Sequence, residues 1–289
     1  MDTRAWLGLE STHNPTRWYL PVDPGVSTGH RFLFGGCGLG AAMSAMEGTT
    51  GRPVVWATAQ YLSYAKTGSV MDIDVVVAKE GRAMTQARAT GHVGGTEILT
   101  VNAALGSRDF DATADFVSMP EVAGPDDSPV RPTFSTGLEN ALHTRMSQRV
   151  AAAPSANDVE SAGDLGPGRV AVWTRVNDLY DGSGPLMAVL GDYLPMGISM
   201  TMDRPVMSNS LDNTIRVIRN EPCEWYLLDI TVDAVRAGVG HGQVHIWSPE
   251  GTLLATASQS AMVRKRPPEA MWTKAENQES EEGLEGKQG

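Results

Sequence analysis

One internal repeat constrains the fold of this 289-residue chain more than any other feature of its sequence. The segment that begins at Gly95, GTEILTVNA, aligns without a gap on the segment that begins at Gly251, GTLLATASQ. Upstream, Met71–Ile73 aligns on Leu228–Ile230 after a single-residue gap. Because such self-similarity marks a structural unit that is used more than once, the sequence predicts two halves of similar architecture.

Each half contains three consecutive segments of β-type composition, joined by turn residues. A predicted helix precedes each set: Leu39–Glu47, rich in Ala and Met, and a second from Pro185 to about Tyr193, where proline suits the first helical position. An antiparallel sheet with one apolar face needs a covering layer, and a helix laid across it provides one. The predicted strands are Val70–Ala78, Ala83–His92, Glu97–Leu105, Trp225–Val235, Gly242–Trp247 and Thr252–Val263.

Composition divides the chain into two domains, a linker and a tail. We predict an N-terminal domain over residues 1–110 and a C-terminal domain over residues 138–266. The intervening segment, 111–137, contains four prolines and several aspartates, which is typical of a linker. The acidic tail, 267–289, is predicted to be disordered because it cannot bury enough apolar surface to order itself.

Charge and cysteine content limit the partners that we expect. The chain has 23 basic and 34 acidic residues, a net charge of -11, which argues against a nucleic-acid partner. Two cysteines are too few for a disulfide framework and favour a reducing cytoplasm. No signal-like segment opens the chain, and the longest uncharged apolar stretch, 32–46, is shorter than the ~20 residues of a membrane helix. We therefore expect a soluble cytoplasmic protein without a membrane partner.

Three polar residues interrupt apolar patterns in the second half. On one face of the last predicted strand only Gln259 is polar, and the repeat places Ala103 at the equivalent position. Asp192 lies beside the apolar stripe of the second helix near its C-terminus, where the helix dipole disfavours a carboxylate. Ser210 lies in a polar cluster that is typical of a turn or of a strand start. From the pattern alone, structural and functional roles are both open for all three residues.

Several motifs resemble the acyl-CoA thioesterase II family. Phe34–Gly36, before an Ala-rich helix, is similar to the first helix entry of that family, and Ser258–Gln259 with Met262–Arg264 is similar to its C-terminal end. The resemblance covers residues 28–107 and 169–266. It implies an α+β fold, a double hotdog with two tandem antiparallel sheets, each wrapped around a central helix.

The resemblance also implies an active site. Ser210–Asp212 is similar to the family's triplet of a hydroxyl residue, an aliphatic residue and an aspartate. The family's catalytic residues then fall on Asp192, Ser210 and Gln259, which together would hold a water molecule. This arrangement implies hydrolysis of acyl-CoA to the free acid and CoA without a cofactor or a covalent enzyme intermediate. The oxyanion would need donors, and backbone N–H groups at a helix start are expected to provide them.

Substrate contacts can be predicted only from the chemistry of CoA. Because CoA carries phosphates, basic residues are expected at the mouth of the pocket, and Arg264, Lys265 and Arg266 are the candidates. The alternative is that they form a solvated strand end. Gly35 and Gly36, at the first helix entry, are further candidates for substrate contact. Family members also associate, so a homo-oligomer is a second expectation, although the two halves of one chain can already pair edge to edge.

Two departures from the family keep a second function open. Cys37 follows the glycine pair where the family often has glutamine, and residues 213–216 replace its usual histidine and aromatic residues. These changes leave the hydrolytic residues intact but affect the pocket and the expected acyl preference. The alternative function is a hotdog protein that binds acyl-CoA or another apolar ligand without hydrolysing it.

Other catalytic and ligand-binding patterns are weak. The absence of a Gly-x-Ser-x-Gly motif disfavours an α/β-hydrolase. The glycines of Gly36–Ala41 match a dinucleotide fingerprint only in part, since no acidic residue follows at about 20 positions. His241 and His245 would share a strand face without a third ligand, so no metal site is predicted. Cys37 is interpreted as a small packed residue rather than a nucleophile.

Overall fold

A computed structural model describes residues 1–109, 111–132, 138–155 and 159–266 of the chain. The predicted disordered tail, 267–289, lies outside the described residues. Within the described ranges the helices are α1 (Thr3–Leu7), α2 (Gly35–Thr50), α3 (Gly184–Leu190) and α4 (Leu194–Thr201).

The strands of the first half are β1 (Glu10–Ser11), β2 (Arg17–Pro21), β3 (Val54–Tyr61), β4 (Val70–Glu80), β5 (Met84–Val93) and β6 (Thr96–Gly106). Those of the second half are β7 (Met146–Ala152), β8 (Arg169–Val176), β9 (Val206–Val217), β10 (Tyr226–Arg236), β11 (Val239–Trp247) and β12 (Leu253–Lys265). The six predicted strands correspond to β4–β6 and β10–β12, with small shifts at their ends. The repeat thus describes two strand meanders of the same order.

The two halves join into one sheet. Over the described residues its twelve strands follow the order β1-β2-β4-β5-β6-β3-β9-β12-β11-β10-β8-β7. The edge-to-edge pairing of the two halves, which the resemblance allowed, is present and makes the two tandem sheets continuous: β3 and β9 pair antiparallel, with Ala57 opposite Ile215 and Ala59 opposite Asn213. An unpaired edge strand exposes N–H and C=O groups, and this pairing satisfies one edge of each half.

Helix α2 is longer than predicted and packs against strands β2–β6. It begins at Gly35 and ends at Thr50, and the next residue, Gly51, has a φ of 68°, the left-handed conformation in which glycine stops a helix. Its internal glycines permit close packing: a Cβ on Gly38 would lie 2.8 Å from Leu99 Cδ2, and one on Gly40 would lie 2.8 Å from the carbonyl oxygen of Pro185. The glycine content therefore reflects tight contact rather than a weak helix.

The second predicted helix is interrupted. Helix α3 begins after Ser183, whose side chain accepts a hydrogen bond from the Leu186 N–H, and it ends at Leu190. The prediction that it continues to Tyr193 is wrong, because the chain leaves the helix and starts α4 at Leu194. Pro195 has no N–H to donate to the carbonyl four residues earlier, which explains the break. Helix α4 packs against strands β8–β12.

Strand β9 contains the whole polar cluster around Ser210, which is typical in sequence of a turn or of a strand start. This settles the structural alternative for Ser210 in favour of a strand. From Ala255 to Ala261 the buried residues of β12 alternate, as predicted, and they include Gln259; Leu254, on the other face, is buried as well.

The predicted linker lies on the outer face of the second half. Over its described part, residues 111–132, the chain forms no helix, and its β-structure is limited to an isolated bridge between Val130 and Arg149. Trp173 Nε1 donates a hydrogen bond to the Ala123 carbonyl at 2.8 Å, which anchors the segment to β8. The domain boundaries themselves stay predictions. None of the described helices is long and apolar enough to cross a membrane.

The β3–β9 junction should respond strongly to loss of buried volume. Ile215 is fully buried and faces Ala57 and Ala257 across its two neighbouring strands. We expect Ile215→Ala to lower the free energy of unfolding by about 2–5 kcal/mol, because it leaves a cavity at the centre of the sheet. Denaturant unfolding measures this loss. The control Ile218→Ala removes a side chain that is 44% exposed and should change stability by less than about 0.5 kcal/mol; equal losses would contradict the prediction.

Candidate functional site

The structure brings together the three residues that the sequence singled out. Asp192 lies in the break between α3 and α4, which directs its side chain towards the sheet rather than to solvent. Ser210 lies on β9 and Gln259 on β12, and these strands are neighbours. A register shift between Ser260 and Ala261 places Ala261, rather than Met262, opposite Ser210. Strand pairing thus brings Ser210 and Gln259 together, 49 positions apart, and the helix break adds Asp192, which is 18 and 67 positions from them.

Hydrogen bonds link these three side chains directly. The Ser210 hydroxyl donates to Asp192 Oδ1 at 3.0 Å, and Gln259 Nε2 donates to the same oxygen. Gln259 Nε2 also lies 2.7 Å from Ser210 Oγ. The carboxylate, the hydroxyl and the amide thus form one closed triangle of polar groups.

The N-terminal half completes the surroundings of the carboxylate. The backbone N–H of Gly36, in the first turn of α2, donates to Asp192 Oδ2 at 2.6 Å. A Cβ on Gly35 would lie 2.6 Å from the same oxygen, and one on Gly36 would lie 2.9 Å from the Val189 carbonyl oxygen. Only glycine fits at these two positions. Their sequence assignment as substrate contacts stays a prediction, because the Gly36 N–H is already bonded to the carboxylate.

Burial sets the protonation chemistry of Asp192. The residue is 2% exposed, and removal from water disfavours the ionised carboxylate. Burial therefore raises the pKa of Asp192 to about 7, although donors from Ser210, Gln259 and Gly36 each lower it. A carboxyl group with a pKa near 7 can exchange a proton readily at neutral pH.

Two residues at this site were missed by the sequence prediction. Asn213 is fully buried on β9, opposite Gln259 on one side and Ala59 on the other. Tyr61 ends β3, and its ring lies 3.0 Å from the position of a Cβ on Gly35. Asn213 lowers the pKa of Asp192 and also that of Tyr61, although burial raises both pKa values overall. The only sequence signal was that Asn213 departs from the residue usual in the family.

These two residues extend the polar network behind the carboxylate. Among the described residues, the Tyr61 hydroxyl, both amide atoms of Asn213 and Oε1 of Gln259 are buried without a hydrogen-bond partner. The set comprises a hydroxyl donor, an amide donor and two carbonyl acceptors, which can pair in the order Tyr61, Asn213, Gln259. Such a chain would fix the orientation of the Gln259 amide, since its Nε2 must face Asp192.

A cavity of about 540 Å³ opens beside this cluster. Asp192, Ser210 and Tyr61 line its polar part. Its apolar wall includes Leu33, Phe34, Ile98, Leu99 and Met196, and its cationic lining consists of His30, Arg131, Arg264 and Arg266. Of the predicted basic candidates, Lys265 is exposed and lies outside this lining.

Cys37 has the environment of a packed residue. It is fully buried in α2, and burial raises the pKa of its thiol well above the ordinary value. A thiol of this kind is not a nucleophile at neutral pH. Within the described ranges, no group of three or more His, Cys, Asp or Glu side chains could hold a metal ion.

Comparison with protein families identifies the chain. The acyl-CoA thioesterase N-terminal domain matches residues 22–106, and the acyl-CoA thioesterase C-terminal domain matches residues 117–263. The chain belongs to the acyl-CoA thioesterase II family. This membership confirms the resemblance noted from the sequence, and with it the prediction of a thioester hydrolase.

Solved structures show the same fold over most of the thioesterase chain. A provisionally assigned thioesterase from Novosphingobium aromaticivorans is 28% identical, with a TM-score of 0.79 over 90% of this chain and 98% of its own. A hot dog fold protein from Alicyclobacillus acidocaldarius is 17% identical, with a TM-score of 0.78 over 92% of this chain and 98% of its own. Acyl-CoA thioesterase II from Mycobacterium marinum is also 17% identical, with a TM-score of 0.71 over 91% of this chain and 98% of its own. No curated protein sequence matches the chain.

The raised pKa of Asp192 predicts a pH-dependent cost to stability. Its folded-state pKa of about 7 exceeds the ordinary value of 3.8, so the folded thioesterase loses stability as pH rises from about 4 to about 7. In Asp192→Asn this cost disappears, because the amide stays neutral and the unpartnered Oε1 of Gln259 can turn to accept its N–H. We expect the variant to be more stable than the wild type at pH 8, by up to about 4 kcal/mol, and equal to it near pH 4.

Thermal unfolding at both pH values measures this difference. The control Asp233→Asn changes an exposed carboxylate on β10 and should leave the wild-type pH dependence in place. An Asp192→Asn variant that is less stable than the wild type at pH 8 would show that the ionised carboxylate stabilises the fold.

Proposed function

We propose that this thioesterase hydrolyses acyl-CoA by means of a water molecule that Asp192, Ser210 and Gln259 hold against the thioester carbonyl. The observation that carries the proposal is the convergence of a hydroxyl and an amide on one oxygen of a buried carboxylate beside the cavity. Residues that are merely structural rarely combine burial of a carboxylate with a pKa near neutrality.

The reaction needs one proton acceptor and no covalent enzyme intermediate. Ionised Asp192 removes a proton from the water as its oxygen forms a bond to the carbonyl carbon. Ser210 and Gln259 orient the water and hold the carboxylate in place. When the tetrahedral intermediate breaks its C–S bond, protonated Asp192 returns the proton to the leaving thiolate. The products are the free acid and CoA.

The arginines of the cavity lining fit the charge of the substrate. Arg264 is exposed at the end of β12 and donates to Asn209 Oδ1 at 2.8 Å, so its guanidinium is held beside the cavity. Arg266 lines the same cavity. We assign these two residues to the phosphates of CoA, because charge-assisted hydrogen bonds to phosphate suit arginine. Lys265, which lies outside the cavity lining, contributes at most a long-range electrostatic attraction to the phosphates.

Other expectations from the sequence stand as proposals beside this mechanism. We infer that each half of the sheet wraps around its central helix, that the enzyme acts in the cytoplasm on acyl-CoA, and that chains associate into a homo-oligomer. Light scattering of the purified protein measures the last of these; a mass of one chain would exclude it.

Removal of any of the three polar groups should abolish most turnover. We expect Asp192→Asn to lower kcat at least about 1000-fold, because it removes the proton acceptor, and Gln259→Ala and Ser210→Ala to lower it about 10- to 1000-fold. Release of free thiol from a series of acyl-CoAs measures the rates. Matched controls are Asp233→Asn, Gln243→Ala and Ser258→Ala, which change the same residue types outside the cavity lining. Wild-type rates in all three site variants would contradict the proposed mechanism.

The pH profile should report the ionisation of Asp192. Because the general base must be ionised, kcat/KM is expected to rise with pH and level off above a pKa of about 7. In Asn213→Leu, an amide that lowers this pKa is lost, so the midpoint should move to higher pH. A purely structural defect would lower the rate at every pH without moving the midpoint, which would argue against a role for Asn213 at the carboxylate.

A further inference from the structure

Arg131 is a cation in the cavity wall that lacks a negatively charged partner. Its guanidinium donates one N–H to Gln148 Oε1 at 2.8 Å, and its backbone N–H donates to the carbonyl of the same residue at 2.9 Å. No carboxylate of the described residues forms an ion pair with it. A guanidinium has five N–H donors, and the contact with Gln148 uses one of them, so other donors can bind a molecule in the cavity that Arg131 lines.

Other partly buried arginines of this protein have their charge compensated. Arg145 lies 3.8 Å above the ring of Trp6 and donates to two backbone carbonyls. Arg169 forms an ion pair of 2.8 Å with the buried carboxylate of Asp229. Among the described residues, Arg131 has neither an aromatic ring against its guanidinium nor a carboxylate partner. The chain has 34 acidic residues, so composition does not explain why Arg131 lacks a carboxylate partner among the described residues.

Arg131 and Asp192 line the same cavity. Tyr193 directly follows Asp192 in the chain, and its ring packs on Phe34 in the cavity wall. The Tyr193 hydroxyl donates to Met146 Sδ at 2.8 Å. Met146 lies on β7, two residues before the Gln148 that holds Arg131. Tyr193 therefore connects the segment that carries the proposed catalytic carboxylate to the strand that holds the guanidinium.

The arginines assigned to phosphate are held by other strands. Arg264 lies at the end of β12 and donates to Asn209 on β9. Arg131 is held by Gln148 on β7, the strand at the outer edge of this half of the sheet. The phosphates of CoA are separated from the thioester by the whole pantetheine arm. A cation held apart from Arg264, in the cavity that Asp192 also lines, is better placed to meet the acyl group than the nucleotide.

We propose that Arg131 binds the terminal carboxylate of a short dicarboxylic acyl chain, so that this enzyme prefers acyl-CoAs with an anionic acyl group. The inference rests on the proposed function, since it assumes that acyl-CoA enters this cavity. A carboxylate matches the planar fork of arginine and would neutralise its buried charge. The neighbouring side chains, Gln148, Tyr193 and neutral His143, offer no competing negative charge.

Two acyl-CoAs of equal chain length test the preference. We expect the wild type to hydrolyse glutaryl-CoA with a higher kcat/KM than pentanoyl-CoA. Arg131→Gln is expected to lower the ratio of these two values about 10- to 100-fold, chiefly through KM for glutaryl-CoA, because a charge-assisted bond is lost. Arg131→Lys, which keeps the charge but not the fork, should lower the ratio less. Arg264→Gln, the matched control, should lower both values by the same factor.

A second pair of substrates separates the carboxylate from the phosphates. Glutaryl-pantetheine and pentanoyl-pantetheine lack the nucleotide, so a loss of preference in Arg131→Gln that persists with them supports the acyl carboxylate as the ligand. An effect of Arg131→Gln that is equal for glutaryl-CoA and pentanoyl-CoA, and that vanishes with the pantetheine esters, would assign Arg131 to phosphate and overturn the proposal.

Failure of this inference can be told from failure of the function itself. If the wild type releases thiol from neither CoA ester, the proposed function is at fault. If it hydrolyses pentanoyl-CoA and does not favour glutaryl-CoA, only the assignment of Arg131 is wrong. Thermal unfolding of the Arg131 variants checks that they are folded. If Arg131→Gln does not fold, Arg131→Lys still tests the assignment.

Discussion

The antiparallel pairing of β3 with β9 is the interaction on which the rest of the molecule depends. It joins two six-strand halves into one sheet and removes an unpaired edge from each. The same pairing places the first turn of α2, which belongs to the N-terminal half, against the helix break of the C-terminal half. The hydrogen bond from the Gly36 N–H to Asp192 follows from that placement. The site is therefore a property of the joined sheet, and neither half alone contains it.

The duplication is asymmetric at the position that matters for chemistry. Gln259 and Ala103 are equivalent in the repeat, and both are buried on the inner face of their strands. The alanine needs no partner, whereas the glutamine amide is bonded to Asp192 and Ser210. An amide without such partners would cost about 1–3 kcal/mol, so the polar residue is expected only in the copy that also supplies a carboxylate.

The burial that raises the pKa of Asp192 also lowers the stability of the folded protein once the carboxylate is ionised. A carboxyl group removed from water keeps its proton to about neutral pH, and the folded state pays for its ionisation. Sites of this kind reduce stability in exchange for function. The orphaned amide of Asn213 and the uncompensated charge of Arg131 are further examples in the same protein. Asp192 and Arg131 line the cavity, where a substrate could satisfy them, whereas Asn213 is buried behind the carboxylate.

The sequence by itself determined the repeat, the two strand meanders and the polar exceptions at Asp192, Ser210 and Gln259, because alternation and periodicity are local properties that a single chain displays. The family resemblance then gave these residues a common role. Tertiary structure alone decided that β3 and β9 are the strands that join the halves, that the second helix breaks before Asp192, that Asn213 is buried behind the carboxylate and that Arg131 lines the cavity. Those features depend on strand register and on contacts between distant segments, and no local pattern specifies them.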